Sequence, residues 1–308
     1  MSAPRRAVFV WDGQRLQQEH LDALLSAKCD ELVVAIVHAE EGFSSSQPYT
    51  GGQRIERLST FLSDKIAKPL YLLPLKTSQL SPAQLALRLR YDVPAFSHLL
   101  TTNADLQRAA AQLLPCTSQR IELINSPALL AAPKSPPRRG LFITRAQPFH
   151  VGHAACVQKI SEEMDEVIVL VALAETSHSL QNPATAGERL AMIHPYLCRT
   201  LPGRFHLAAA PYEPHTACNV SELQLLLPTF ERIYSNSPGT QALAVSAGVA
   251  YSPIRTTAGA SGAEVRQALL DGAELGTLVP PEVAVALERM GIRKRLQLLS
   301  SEEVRRGD

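Results

Sequence analysis

The sequence lacks paired cysteines, a dominant charge and any long apolar run. Its cysteines are odd in number, scattered and never spaced as CxxC; they are Cys29, Cys116, Cys156, Cys198 and Cys218. This usage argues against a disulfide framework or a zinc site and is typical of a reducing compartment. A net charge of +1 gives no sign of a nucleic-acid or membrane partner. Since no signal peptide or transmembrane-length segment is recognisable, we expect a cytoplasmic protein.

The residues that are present favour two α/β domains. A chain of 308 residues exceeds one ordinary core, and 45% hydrophobic residues can fill two. The segment Ala132-Pro-Lys-Ser-Pro-Pro-Arg-Arg139 is rich in proline and basic residues, which is incompatible with a helix or a central strand. We therefore predict domains at 1–132 and 140–308, joined by a linker at 133–139.

The two halves resemble each other. Ten of the 25 positions from Asp30 to Arg54 are identical to those 135 residues later, from Asp165 to Arg189. Upstream, at an offset of 133, Phe9 and His20 meet Phe142 and His153. Because the matches combine strand, loop and turn signals in one order, the sequence predicts a duplicated domain.

Each copy alternates between predicted strands and helices. In the second copy we predict strands at 140–144, 166–173, 230–234 and 243–249, and helices at 154–164, 261–270 and 282–290. A further helix opens at Thr185, with Glu188 placed for a capping box. The continuous β-branched run at 166–173 is typical of a strand buried on both faces. The pattern predicts two tandem Rossmann-like domains, each an open parallel sheet with helices on both faces.

The densest chemistry lies in Arg145-Ala-Gln-Pro-Phe-His150-Val-Gly-His153, between the first strand and first helix of the second copy. An open α/β sheet binds its ligand there, and a helix N-terminus offers N–H groups to phosphate. Gly152 permits close backbone approach. Two imidazoles at this position can donate hydrogen bonds to phosphate oxygens in a transition state.

His150-Val-Gly-His153 resembles the HxGH motif of the nucleotidyltransferase superfamily. The whole of Gly140 to His153 resembles the start of archaeal-type nicotinamide mononucleotide (NMN) adenylyltransferases. The resemblance continues downstream through Thr176-Ser-His-Ser179, Pro183-Ala-Thr-Ala-Gly-Glu-Arg189, Tyr234-Ser-Asn-Ser-Pro238 and Ser261-Gly-Ala-Glu-Val-Arg266.

This resemblance implies that AMP moves from ATP to NMN by direct in-line displacement, giving NAD and pyrophosphate. It implies catalytic roles at the phosphates for His150, His153, Arg145 and Arg266. The implied ATP-binding residues are Phe142, Ile143, Gly152, Tyr234, Ser235, Asn236, Ser261 and Gly262. The implied acceptor-binding residues are His178 and Asn219. We expect Mg²⁺ to be bound by the substrate rather than by a protein metal site. The expected partners are small-molecule nucleotides, and a homo-oligomer is compatible with the sequence.

Several positions depart from the family pattern. Thr144 stands where the family usually has glycine, and Ala146 where it has a bulky apolar residue. On the acceptor side, Glu222 replaces a tryptophan and the Arg-x-Tyr pattern before Ser261 is missing. Alternatives therefore stay open: a nucleotidyltransferase for phosphopantetheine or a sugar or polyol phosphate, or a non-catalytic nucleotide-binding regulator.

The first copy departs further. Gln17 and Glu19 replace His150 and Gly152, and Asp12 replaces Arg145. An acidic side chain where phosphate would lie is repulsive. We expect residues 1–132 to keep the fold without this catalysis and to serve in packing, pseudo-dimer formation or ligand sensing.

Overall fold

The chain forms two compact units. The first comprises Met1–Pro137 with Cys218–Phe230, and the second Arg138–Ala217 with Glu231–Asp308. The sequence placed 218–230 in the C-terminal domain, whereas the structure groups this segment with the first unit. The computed structural model describes residues 3–13, 15–45, 47–124, 128–129, 136–211, 220–254 and 259–307.

The first unit contains a five-stranded parallel sheet with the order β3-β2-β1-β4-β5. Its elements up to residue 137 are β1 (Arg6–Trp11), α1 (Gln18–Ser26), β2 (Glu31–Ile36), α2 (Gly51–Leu62), β3 (Leu70–Pro74), α3 (Pro82–Asp92), β4 (His98–Thr101), α4 (Ala104–Leu113) and β5 (Thr117–Arg120). Apolar residues of β1 and β2 form its core with those of α1 and α2.

The rest of the chain supplies a second sheet. Its elements are β6 (Arg139–Thr144), α5 (Val151–Glu163), β7 (Glu166–Val171), α6 (Ala186–Thr200), β8 (Phe205–Ala209), α7 (Val220–Leu226), β9 (Arg232–Ser235), α8 (Pro238–Ser246), β10 (Ala250–Pro253), α9 (Gly262–Leu270), α10 (Pro281–Arg289) and α11 (Ile292–Gly307). Apart from α7, which is grouped with the first unit, these elements form the second unit.

The second sheet is also parallel and has the order β10-β9-β6-β7-β8. Read from β8, it repeats the order of the first sheet. The predicted fold class, two Rossmann-like parallel sheets with flanking helices, is confirmed. The apolar run in β7 is buried from Val167 to Val171, as expected for a central strand.

Two predicted boundaries were wrong. The strand predicted at 243–249 is instead the end of α8 and the turn before β10. Ser237 caps that helix with its side chain and Pro238 occupies its first turn, so a helix begins despite the apolar run. The predicted linker also ended too late, because Arg139 is buried in β6 and donates to Glu166 at 2.6 Å. Residues 133–135 lie outside the described residues.

Each unit has a buried arginine at an equivalent position of its second helix. Arg189 in α6 donates to the backbone carbonyls of Thr185, Arg145, Ala172, Leu173 and Ala174. Arg54 in α2 does the same with Thr50, Asp12, Val37, His38 and Glu41. Each guanidinium thus satisfies loop carbonyls that follow the first and second strands of its unit. Among the described residues no helix is long and apolar enough to span a membrane.

Candidate active site

The candidate site lies where the order of strands reverses in the second sheet. β6 pairs with β7 on one side and with β9, which comes much later in the chain, on the other. In such sheets the crevice beyond the carboxyl ends of the two central strands is the usual ligand site. Thr144 ends β6, Ser235 ends β9, and α5 begins beside them at Val151.

Two histidines at the start of α5 are locked together. The His150 backbone N–H donates to Nδ1 of His153 over 3.3 Å, and the two rings stack with centroids 3.7 Å apart. Gly152 permits this packing, because a Cβ there would lie 3.0 Å from the His150 ring. The absence of a side chain at Gly152 therefore allows the His150 ring to lie against the first turn of α5.

Both imidazoles are neutral near pH 7. Burial lowers the pKa of His150 to about 4, although Glu264 opposes the shift. Burial, and next to it the neighbouring His150, hold the pKa of His153 well below its ordinary value. A neutral imidazole still donates one hydrogen bond. Hydrogen bonding at this helix start therefore does not require a positive charge on either ring.

Nε2 of His153 lies 2.8 Å from Oγ1 of Thr144. The Ala146 backbone N–H also reaches that oxygen, at 3.2 Å. Phe149 stacks on the His153 ring with centroids 5.4 Å apart, and Phe142 approaches it at a tilt, with centroids 6.1 Å apart. The ring is thus held on its faces and at both nitrogens.

Two adjoining cavities share His150 and His153 in their walls. One, of about 570 Å³, is also lined by Phe142, Ile143, Thr144, Gly152, Ser235 and Asn236. The other, of about 480 Å³, is also lined by Arg145, Ser261, Gly262 and Arg266. The structure therefore brings most of the sequence-predicted residues around two neighbouring spaces.

The second cavity is electropositive. Arg266 donates to the Gln147 carbonyl over 2.7 Å, and its pKa is lowered by burial and by the charge of Arg145. Ser261 caps α9, its side chain accepting from the Glu264 backbone N–H. Gly262 lets α9 begin against the Gln147 carbonyl, since a Cβ there would lie 2.9 Å from it. Two arginines beside a helix N-terminus form a site for an anion.

Two predicted site residues, Tyr234 and His178, are not brought into these cavities. Tyr234 is buried and donates its hydroxyl to Glu163 over 2.8 Å, so it does not border the predicted adenine pocket. His178 is exposed, hydrogen-bonds to Ser177, and lines neither cavity. Asn219 lies outside the described residues. Glu222, in the family's tryptophan position, forms an ion pair with Lys76 within the first unit.

Sequence reasoning missed several wall residues. Cys156 and Ile254 line the first cavity, and Gln181 and Asn182 line the second. Thr144 was recognised only as a departure from the family pattern. Its proximity to His153 needs the turn between β6 and α5 to be folded, which no spacing rule supplies.

The first unit repeats the backbone geometry with different side chains. The Gln17 backbone N–H donates to Nδ1 of His20 over 3.0 Å, as His150 does to His153. A cavity of about 630 Å³ lies beside them, with Asp12 in its wall at the position matching Arg145. The helix start and its hydrogen bond have been kept there, while the residues matching His150, Gly152 and Arg145 are Gln17, Glu19 and Asp12.

The depressed histidine pKa makes a prediction about acid stability. The pKa of His150 is about 4 in the folded chain and near 6.5 when unfolded, so unfolding takes up a proton between these values. Stability from this group is complete above about pH 6.5 and is lost as the pH falls towards 4. Between pH 7 and 4.5 we expect the melting temperature, measured by calorimetry, to fall less for a His150→Gln variant than for the wild type. The same fall of melting temperature with pH in the two proteins would contradict this assignment.

A parallel sheet whose switch point carries HxGH at a helix start defines a nucleotidyltransferase-type site. Residues 141–215 match the cytidylyltransferase-like family. The nicotinamide-nucleotide adenylyltransferase of Methanothrix thermoacetophila is 36% identical over 168 residues, covering 54% of this chain and 98% of the relative. That of Halobacterium salinarum is 37% identical over 165 residues, covering 52% and 90%. The chain belongs to the nicotinamide-nucleotide adenylyltransferase family.

The solved structures include a similar protein. It is a bifunctional NMN adenylyltransferase/ADP ribose pyrophosphatase from Francisella tularensis, in complex with AMP and a Mn ion. Its TM-score is 0.45 at 15% identity, with 55% of this chain and 54% of that one covered.

Proposed function

We propose that the second unit transfers AMP from ATP to NMN, giving NAD and pyrophosphate. The observation that carries this proposal is the pair of cavities that meet at His150 and His153. One cavity has an apolar and hydroxyl-bearing wall suited to a nucleoside, and the other has the arginines suited to a polyphosphate. The family relationship supports the same reaction.

The reaction needs positioning and charge stabilisation rather than a covalent intermediate. A phosphate oxygen of NMN attacks the α-phosphorus of ATP, the bond from that phosphorus to the bridging oxygen breaks, and pyrophosphate leaves. Holding both reactants in line replaces a bimolecular encounter with an internal step. Donors aimed at the phosphates then stabilise the charge that develops on them.

We assign a group of residues to each part of the bound ATP. The His150 and His153 region faces the α-phosphate, between the two cavities. Arg145, Arg266 and the α9 N-terminus at Ser261 and Gly262 hold the β- and γ-phosphates and the leaving pyrophosphate. Phe142, Ile143, Ser235 and Asn236 contact the adenosine. Mg²⁺ enters on the ATP phosphates, because this ion keeps several waters and favours phosphate oxygens.

The acceptor assignment depends on two residues. His178 and Asn219 are the residues that the family pattern would assign to NMN, and only His178 is among the described residues. Glu222 offers no aromatic ring for the acceptor base. Acceptors other than NMN are therefore included in the test.

The test is turnover by the full chain with ATP, Mg²⁺ and single acceptors: NMN, nicotinate mononucleotide, phosphopantetheine and glycerol 3-phosphate. We expect pyrophosphate release with NMN, matched one to one by NAD. Pyrophosphate with another acceptor only would contradict the NMN assignment, and ATP binding with no turnover would contradict the reaction itself.

An Arg266→Ala variant tests the assignment of the arginine-lined cavity. Removing a guanidinium that holds the β- and γ-phosphates should raise the KM for ATP at least tenfold, since charge-assisted hydrogen bonds contribute about 1.5–3 kcal/mol. The KM for NMN should change little. Steady-state kinetics with each substrate varied in turn gives both values, and an effect confined to NMN would reverse the assignment.

A further inference from the structure

Thr144 lies beside His153 in the wall of the nucleotide cavity. It is the last residue of β6, it is almost buried, and its side chain forms part of the wall of the cavity of about 570 Å³. Its hydroxyl oxygen lies 2.8 Å from Nε2 of His153. The hydrogen bonds determine which of the two, the His153 ring or the Thr144 hydroxyl, presents a proton to a ligand in this cavity.

The hydrogen bonds fix the tautomer of His153. The His150 backbone N–H can only donate, and it points at Nδ1 of His153 over 3.3 Å. Nδ1 therefore carries no proton, and the proton of the neutral ring lies on Nε2. That N–H is directed at the Thr144 oxygen, so His153 donates and Thr144 accepts.

The same oxygen accepts a second bond. The Ala146 backbone N–H reaches it at 3.2 Å. A hydroxyl oxygen has two lone pairs, so both are engaged. Its own proton is left to be donated, and within the described part of the chain no hydrogen bond uses it. Because the side chain lines the cavity, a ligand oxygen is the available acceptor.

We propose that the Thr144 hydroxyl donates to a phosphate oxygen of the bound nucleotide and that His153 acts through it. This relay rests on the proposed function. Accepting a bond from Nε2–H polarises the hydroxyl and makes it a stronger donor. His153 keeps its position between Phe142 and Phe149 throughout, whereas direct contact with phosphate would require its bond to Thr144 to break.

Substitution at Thr144 tests the relay. Thr144→Val keeps the shape and removes the hydroxyl, and we expect kcat to fall about tenfold to a hundredfold, as for loss of a transition-state donor. Thr144→Ser keeps the hydroxyl and should stay within about threefold of the wild type. If the valine variant does not fold, Thr144→Ala removes the same group. A wild-type kcat in the valine or alanine variant, or a serine variant as slow as they are, overturns the proposal.

The matched control is Thr101→Val in the first unit. Thr101 also ends a central strand, is buried, and its hydroxyl oxygen accepts a backbone N–H, from Asn103 at 3.1 Å. We expect no loss of kcat from this change. An equal loss in both variants would show that the effect is structural and would overturn the relay.

A double-mutant cycle separates a relay from two independent contacts. In a relay the two residues act as one unit. Adding Thr144→Val to a His153→Ala variant should therefore lower kcat by less than about threefold relative to His153→Ala alone. Independent contacts would multiply their losses, and that result overturns the proposal.

If the wild type shows no turnover, titration calorimetry with ATP replaces kcat: the valine variant should bind ATP more weakly than the serine variant. Equal ATP affinity in both overturns the relay, and no ATP binding by the wild type overturns the relay and the proposed function together.

Discussion

A His153→Ala variant should form NAD at least about tenfold more slowly than the wild type at saturating ATP and NMN. The side chain supplies the Nε2–H that is bonded to Thr144 at the cavity wall, and its Nδ1 holds the backbone turn at His150. Removing one preorganised donor to a developing oxyanion costs about 10²–10³ in kcat, and a water molecule in the space left by the ring would recover part of that. Initial rates measured by NAD formation give the value.

The control for this prediction lies in the other copy. His20 makes the same bond to the backbone, from Gln17 at 3.0 Å, and packs against Phe9 as His153 packs against Phe142. His20→Ala therefore imposes the same structural loss in the copy that lacks the HxGH motif. We expect its kcat to be unchanged. A slow His20→Ala variant would contradict the view that the first unit does not catalyse this reaction.

An Arg189→Met variant should lose about 3–5 kcal/mol of unfolding free energy, because several buried carbonyls lose their donor at once. The guanidinium is completely buried and donates to carbonyls of the loops after β6 and β7 as well as to its own helix. Each buried carbonyl left without a donor costs about 1–3 kcal/mol, offset where water enters. Because one of these loops carries Arg145, NAD formation should be lost as well. Urea unfolding followed by circular dichroism measures the stability.

Arg54→Met is the matched variant in the first unit. Its guanidinium holds the equivalent loops there, so a similar loss of stability is expected for that unit. Catalysis should persist under conditions in which the variant stays folded. A change below about 1 kcal/mol in both variants would mean that these arginines are replaceable by apolar packing, as some buried charges are.

Much of the fold was predictable because local signals agreed with one another. The β-branched run of β7, the capping box at Thr185 and Glu188, and the repeat between the two halves all indicated the same architecture. α8 was missed because hydrophobicity alone does not distinguish a short helix from a strand. Its buried residues, Thr240 and Ala244, are four apart, and Ser237 supplies the cap.

The site was predictable in its motifs and less so in its side-chain directions. Tyr234 and Ser235 are neighbours on β9, so they point to opposite faces of the sheet. Ser235 lines the cavity, while Tyr234 packs against Gly140, where a Cβ would lie 2.7 Å from its ring. Strand alternation would have identified one of the two as unsuitable, although not which. The contact between Thr144 and His153, nine positions apart across a turn, could not be read from the sequence.

The repeated arginines show a different limit. Arg54 and Arg189 matched in the alignment of the two copies, yet an arginine in sequence is normally assigned to a solvated surface. Only the folded loops reveal that each is surrounded by carbonyls. Its presence in both copies therefore reflects the shared fold rather than the chemistry.

The most direct test of the account is a crystal structure of the full chain with a non-hydrolysable ATP analogue. We expect the triphosphate in the second unit, with a phosphate oxygen within hydrogen-bonding distance of Thr144 and the terminal phosphates against Arg266 and the start of α9. The rings of His150 and His153 should keep their stacked arrangement. An analogue bound beside His20 and Asp12 in the first unit, with the second unit empty, would contradict the account.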